Sequence, residues 1–224
     1  FVRVDLAAGT AWGNGETDVL TAIENVTGTI HNDVISGDAA NNHLRGLGGY
    51  DWFVGSGGND SYDGGTGRDM ISYAYAPAAV SLNLGTGTGL AGLALGDSYT
   101  LIERVTGSIY EDLLYGSNAE DEFRGLGGFD WFIGSSGGRD SYDGGTGRDT
   151  VAYWAATSGV SASLLLGRGS RGDAARDPYT SIENLDGSSY ADHLTGDHGR
   201  NILRGHHGRD TLIGGGDGDR LEGG

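Results

Sequence analysis

Asp63-Gly64-Gly65-Thr66-Gly67-Arg68-Asp69-Met70-Ile71 decides the fold, and its first seven residues return unchanged as Asp143-Gly144-Gly145-Thr146-Gly147-Arg148-Asp149, followed by Thr150-Val151. Around it the chain steps in nines. From Thr27, five blocks end at Ile35, Leu44, Phe53, Tyr62 and Ile71. Their second place is always glycine, at Gly28, Gly37, Gly46, Gly55 and Gly64, and their seventh holds Asp33, Asn42, Asp51, Asp60 and Asp69. An apolar residue two places after each acid fits a short strand with one side chain turned inward. The glycine-rich residues before it fit a turn whose backbone angles a Cβ disfavours.

The same pattern recurs with Asp112, Asp121, Asp130, Asp140 and Asp149, and again with Asp192, Asn201, Asp210 and Asp219. A longer period lies over it. Ile23-Glu24-Asn25-Val26 returns as Ile102-Glu103-Arg104-Val105 and as Ile182-Glu183-Asn184-Leu185, and Arg45–Phe53 returns as Arg124–Phe132. The offset of 79 or 80 residues divides the chain into three units, 1–78, 79–158 and 159–224. The first is expected to lack its opening strand and the third to stop inside its run of nonads, as in a segment of a longer chain with neighbouring domains. One extra residue within Ile133–Tyr142 is expected to disturb the site at Asp140.

Two nonads would make one coil, and coils would stack through parallel pairing, so every second acid falls on the same edge about 4.8 Å from the next. A column of carboxylates at that spacing repels itself. Ca²⁺ between successive turns can take two carboxylates and several turn carbonyls at about 2.3–2.6 Å. The composition agrees. The chain has 224 residues, 45 of them glycine, only 2 prolines and 37 % apolar residues, too little for a layered core. Its formal net charge of -17, from 31 acidic against 14 basic residues, opposes compaction unless a cation neutralises it. It also argues against nucleic acid as a partner. The absence of cysteine excludes disulfides and thiolate metal sites. No apolar run is long enough to span a bilayer.

These blocks resemble the RTX, or hemolysin-type, calcium-binding nonapeptide G-G-x-G-x-D-x-U-x. Gly64–Ile71 and Gly144–Val151 fit at every defined place, whereas Gly46–Asp51, Gly55–Asp60 and Gly205–Asp210 miss only the second glycine. The spacer Val80-Ser81-Leu82-Asn83-Leu84 and the segment Leu101–Ser108 are similar to connecting segments of such regions in serralysin-like proteases, RTX adhesins and lipases, and mannuronan epimerase R-modules. The resemblance implies an all-β, right-handed parallel β-roll in three nonapeptide runs separated by β spacers. It implies several bound Ca²⁺ ions and a secreted bacterial protein, at the cell surface or beyond it, exported by a one-step system.

The resemblance also implies ligands. The carboxylate pairs would be Asp33 with Asp51, Asp51 with Asp69, Asp112 with Asp130, Asp130 with Asp149, and Asp192 with Asp210. On the opposite edge they would be Asn42 with Asp60, Asp121 with Asp140, and Asn201 with Asp219, the asparagines weakening their sites. The implied carbonyl donors are Gly46, Gly48, Gly55, Gly57, Gly64, Thr66, Gly125, Gly127, Gly144, Thr146, Gly205, His207, Gly214 and Gly216.

Other features carry less. His193, His198, His206 and His207 fall at variable turn positions, which argues for exposed loop residues over a zinc site. Trp52 and Trp131 are expected to point outward by strand alternation, either as platforms for an extracellular polysaccharide or packed under the spacers. Glu24, Glu103 and Glu183 recur once per unit and read as structural hydrogen-bonding residues. No catalytic set is present and the Gly-x-Gly strings belong to the nonads, so this segment reads as a structural module and not an enzyme. The alternatives are an accessory module of a secreted epimerase, protease or lipase, and a carbohydrate-binding or adhesion module.

Overall fold

The computed structural model describes residues 1–224. They form two compact units, Phe1–Ser108 and Ile109–Gly224, each taken separately below. Both are built almost wholly of strands. The only helical elements are two single 3₁₀ turns, Gly92–Ala94 and Gly172–Ala174, and no helix is long and apolar enough to cross a membrane.

In Phe1–Ser108 successive nonads alternate between two sheets. Val34–Ser36, Trp52–Val54 and Met70–Ser72 pair in parallel, with Ile35, Phe53 and Ile71 in register. His43–Gly49 and Ser61–Gly67 pair in parallel in the other sheet, with Leu44 beside Tyr62. All five of these residues are fully buried. Phe53 meets Tyr62 edge to face at 5.7 Å, so the two inner faces touch across the roll. The single apolar place per nonad is therefore the whole core of each coil, and the rest of the block turns the chain around.

The spacer imitates the nonads. Ser81–Asn83 and Thr88–Ala91 form an antiparallel hairpin. Ser98–Thr100 then lies parallel on Ser61–Gly67, and its Tyr99 ring stacks on Tyr62 at 5.8 Å. Arg104–Thr106 lies parallel on Met70–Ser72, with Val105 beside Ile71. The first unit does not lack its opening strand as expected. Val2–Asp5 pairs in parallel with Val34–Ser36 and forms a hairpin with Thr10–Gly13. Val2-Arg3-Val4-Asp5-Leu6 stands in the place of Val80-Ser81-Leu82-Asn83-Leu84, with its Val and Leu kept and Gly9-Thr10 matching Gly87-Thr88.

In Ile109–Gly224 one parallel series runs Leu113–Tyr115, Trp131–Ile133, Thr150–Ala152, Asn184–Asp186, Ile202–Arg204 and Arg220–Glu222. A second joins Glu122–Arg124, Ser141–Asp143 and Tyr179–Thr180. A third joins Ser161–Ser163, His193–Thr195 and Thr211–Ile213. The extra residue near Asp140 does not break the register: Phe123 still sits beside Tyr142. The insertion is taken up where Gly137 and Gly138 both hold positive φ, angles open to glycine without steric cost.

Candidate metal centre

Each turn acid precedes its strand by one residue, so parallel stacking sets the acids in columns. Within a column the backbone N–H of one acid donates to the carboxylate of the next. Asp33 donates to Oδ1 of Asp51 at 2.8 Å, and Asp51 donates to Oδ1 of Asp69 at 2.7 Å. In the other unit Asp112 donates to Asp130 at 2.9 Å and Asp130 to Asp149 at 2.8 Å, and Asp192 donates to Asp210 at 3.0 Å. The second set of columns uses the same link, Asn42 to Asp60, Asp121 to Asp140 and Asn201 to Asp219, at 2.9 to 3.0 Å. The structure thus brings together every acid pair named from the sequence, including the one at Asp140.

The link uses one carboxylate oxygen, and the other differs between columns. Oδ2 of Asp51, Asp69, Asp130, Asp149 and Asp210 is buried with no hydrogen-bond partner. Leaving a buried anionic oxygen unpaired costs about 1–3 kcal/mol or more, so such atoms call for a ligand. These oxygens face glycines. A Cβ at Gly46 would overlap Asp51 Oδ2 and lie 2.7 Å from the Gly64 carbonyl oxygen. A Cβ at Gly125 would overlap Asp130 Oδ2 and lie 2.8 Å from the Gly144 carbonyl. A carboxylate oxygen and a carbonyl from the next turn thus border one small, glycine-walled space. No group of three or more His, Cys, Asp or Glu side chains is placed to hold a metal ion by itself. A cation here would have to complete its shell with backbone carbonyls, the hard-oxygen set that suits Ca²⁺. The residues fit that ion.

At the start of a run the geometry is different. Oδ2 of Asp33 accepts the Thr29 N–H, and Oδ2 of Asp192 accepts the Ser188 N–H at 2.6 Å. These first acids close their own turn.

In the second columns, hydroxyls occupy the place beside the carboxylate. Ser56 and Tyr62 donate to Asp60 Oδ2 at 2.7 and 2.9 Å, and Ser135 and Tyr142 donate to Asp140 Oδ2 at 3.2 and 3.3 Å. The columns of Asp60 and Asp140 end on spacer acids that sequence reasoning missed. Asp60 N–H donates to Asp97 Oδ1 at 2.8 Å and Asp140 N–H to Asp177 Oδ1 at 3.0 Å. Tyr73 and Tyr153 donate to the other oxygens of Asp97 and Asp177 at 2.8 and 3.0 Å. The Tyr73 ring packs against Gly55, on the side where the first column offers a carbonyl. The signal was available: Tyr73, Asp97 and Tyr99 return as Tyr153, Asp177 and Tyr179 at the long period. Tyr73→Phe would leave a buried Asp97 oxygen short of a donor. With calcium saturating, we expect a loss of about 1–3 kcal/mol in urea denaturation; an unchanged midpoint would contradict the assigned hydrogen bond.

Electrostatics separate the first-column acids from ordinary carboxylates. Burial pushes Asp130 up to about 8, helped by the charges of Asp112, Asp149 and Glu111 and opposed by the Asp112 N–H. Burial likewise raises Asp51, Asp69 and Asp149 to about 6. With no metal bound, a raised carboxyl pKa favours the folded chain below the ordinary value near 4, and that contribution is lost as pH rises through about 6–8. Calcium needs the ionised form. In metal-free buffer, acidification from pH 8 to 5 should therefore increase β-sheet circular dichroism, while calcium affinity should fall over the same range. A metal-free fold that strengthens towards pH 8 would contradict this.

The remaining predicted residues lie outside these columns. His193, His198 and His207 are exposed, and His206 lies half-buried 3.5 Å from Asp186. Trp52 is exposed, whereas Trp131 is half-buried against Trp154 at 5.2 Å. Glu103 and Glu183 do act as hydrogen-bonding residues, accepting the N–H of Asp69 and of Asp149 at 2.9 Å. Glu24 is exposed.

A parallel β-roll whose stacked Gly-Asp turns present paired carboxylates to glycine-walled spaces defines a metal-dependent repeat module. The chain matches the RTX calcium-binding nonapeptide repeat over residues 27–55, 36–71, 101–132, 115–151 and 186–221, more than half of its length, and it belongs to that family. Membership makes it a calcium-binding structural module. No curated protein matches the chain.

Proposed function

We propose that the chain folds when calcium binds and serves outside the cell as a rigid, calcium-loaded segment of a longer secreted protein. The observation that carries this reading is that five of the six buried, partnerless Oδ2 atoms belong to turn aspartates of the nonads, the sixth being that of Asp173 in a spacer. The ions lie between Asp33 and Asp51, Asp51 and Asp69, Asp112 and Asp130, Asp130 and Asp149, and Asp192 and Asp210. The carbonyls of Gly46, Gly64 and Gly144, which border those carboxylates, are the backbone donors the geometry favours. The pairs Asp60/Asp97 and Asp140/Asp177 are already closed by hydroxyls, so the columns of Asn42 and Asp121 are the weaker ones for an ion.

The charge supports coupled folding. A net charge of -17 with one apolar side chain per nonad buries too little to overcome its own repulsion, and binding energy becomes folding energy. Extracellular modules bind calcium at about 10⁻⁴–10⁻³ M, far above cytosolic levels, which favours an unfolded chain inside the cell and a folded one outside. Calorimetric titration of chelator-treated protein tests this. Several calcium ions per chain should bind in the sub-millimolar to millimolar range, with magnesium failing to replace them because it demands a small octahedral shell. No binding heat up to ~10 mM calcium, well beyond that range, would defeat the reading.

A further inference from the structure

The spacers carry acids that end the first columns, and their surroundings differ from those of Asp97 and Asp177. Glu103 stands one residue before Arg104–Thr106, the strand paired on Met70–Ser72, so it holds the place a turn aspartate would hold above Asp69. Its Oε2 accepts the Asp69 N–H at 2.9 Å, the same link that joins aspartates within a column. Glu183 stands in the same relation to Asp149, before Asn184–Asp186 on Thr150–Ala152. Beneath each glutamate lies an acid that is fully buried, and Oδ2 of Asp69 and of Asp149 has no partner.

A carbonyl completes the arrangement. Lower in the column, the Gly64 carbonyl borders Asp51 Oδ2 across Gly46. At the top, the Leu101 carbonyl borders Asp69 Oδ2 across Gly64, and the Ser181 carbonyl borders Asp149 Oδ2 across Gly144. Leu101 and Ser181 hold φ of 52° and 50°, left-handed angles that a residue with a Cβ rarely adopts. Ala22, at the same repeat place, shares this backbone with φ of 52°, so the conformation belongs to the spacer; at Leu101 and Ser181, which follow a run of nonads, its consequence is to turn a carbonyl towards an orphaned carboxylate.

We propose that the columns topped by Asp69 and Asp149 each end in an additional calcium site formed by spacer residues: Asp69, the Leu101 carbonyl and Glu103 in one, and Asp149, the Ser181 carbonyl and Glu183 in the other. This rests on the calcium-dependent reading above. The spacers are then metal-binding parts of the roll. They lock the last nonad of a run, whose outer face has no further nonad to supply a carboxylate. The second columns need no such ion, because tyrosine hydroxyls satisfy Asp97 and Asp177.

Native mass spectrometry at graded calcium concentrations tests the proposal on the full chain. The double variant E103Q/E183Q should retain two fewer ions than the wild type, or hold two of them at least about tenfold more weakly, since affinity follows the number of charged ligands. D97N/D177N should keep the wild-type ion count. If E103Q/E183Q fails to fold, E103D/E183D keeps the charge but draws each carboxylate back by one methylene, and the same two ions should weaken. Unchanged ion count and affinity in whichever variant folds would overturn the proposal. A wild-type chain that binds no calcium would instead overturn the reading beneath it.

Discussion

Stripping calcium from the protein is expected to abolish its β structure. In excess chelator at pH 8 the far-ultraviolet circular dichroism should become that of an unfolded chain, and amide protons of strands such as Trp52–Val54 and Trp131–Ile133 should lose their protection from exchange. Two features make the effect large. The first-column carboxylates are buried, like-charged and linked at the repeat of a single coil. The apolar core is one side chain per nonad, with Ile35, Phe53, Ile71, Leu44 and Tyr62 serving five nonads. Structural metal binding can supply about 10–16 kcal/mol in small zinc domains, and a set of weaker calcium sites acting together works in the same direction. Returning calcium should restore the fold cooperatively, because each ion joins two turns.

Gly46→Ala and Gly125→Ala are expected to damage the proposed calcium sites directly. In each case the new Cβ would fall on the Oδ2 of the turn's own aspartate and within 3 Å of the next turn's carbonyl, at Gly64 or Gly144. Relief would require the carboxylate or the backbone to move, and either motion dismantles the space between them. We expect calcium affinity to fall by about tenfold or more, because ligand placement sets affinity at such sites. Gly57→Ala is the internal control. Its Cβ would have only the Ala39 Cα near it, at 3.8 Å, and its φ is not positive, so it should bind calcium as the parent does. Calorimetric titration of the three variants separates the outcomes. Equal affinity for Gly46→Ala and Gly57→Ala would show that the glycine-walled space holds no ion.

Much of this was legible in the sequence because the nonad leaves little freedom. A fixed interval of nine between Leu44, Phe53, Tyr62 and Ile71 sets both the core and the alternation of sheets. The interval of 18 between Asp33 and Asp51 sets the columns. The spacers escaped that logic. Asp97 lies 37 residues from the Asp60 it meets, and Glu103 lies 34 from Asp69, intervals that no multiple of nine predicts. Their place emerges only once Tyr99 is seen beside Tyr62 and Val105 beside Ile71. The contribution of Leu101 and Ser181 is a backbone conformation with no side-chain signature at all. Nor did the motif reveal that alternate columns differ. The acid is common to both, whereas its second oxygen accepts from a tyrosine hydroxyl in one and from no protein group in the other.

Crystals grown in calcium, with anomalous scattering recorded to locate the ions, test the central claim most directly. We expect peaks beside Oδ2 of Asp51, Asp69, Asp130, Asp149 and Asp210, each within about 2.3–2.6 Å of carboxylate and carbonyl oxygens. A protein that crystallises with this fold from calcium but shows no ions at those aspartates, or carries them only beside Asp60 and Asp140, would contradict the account.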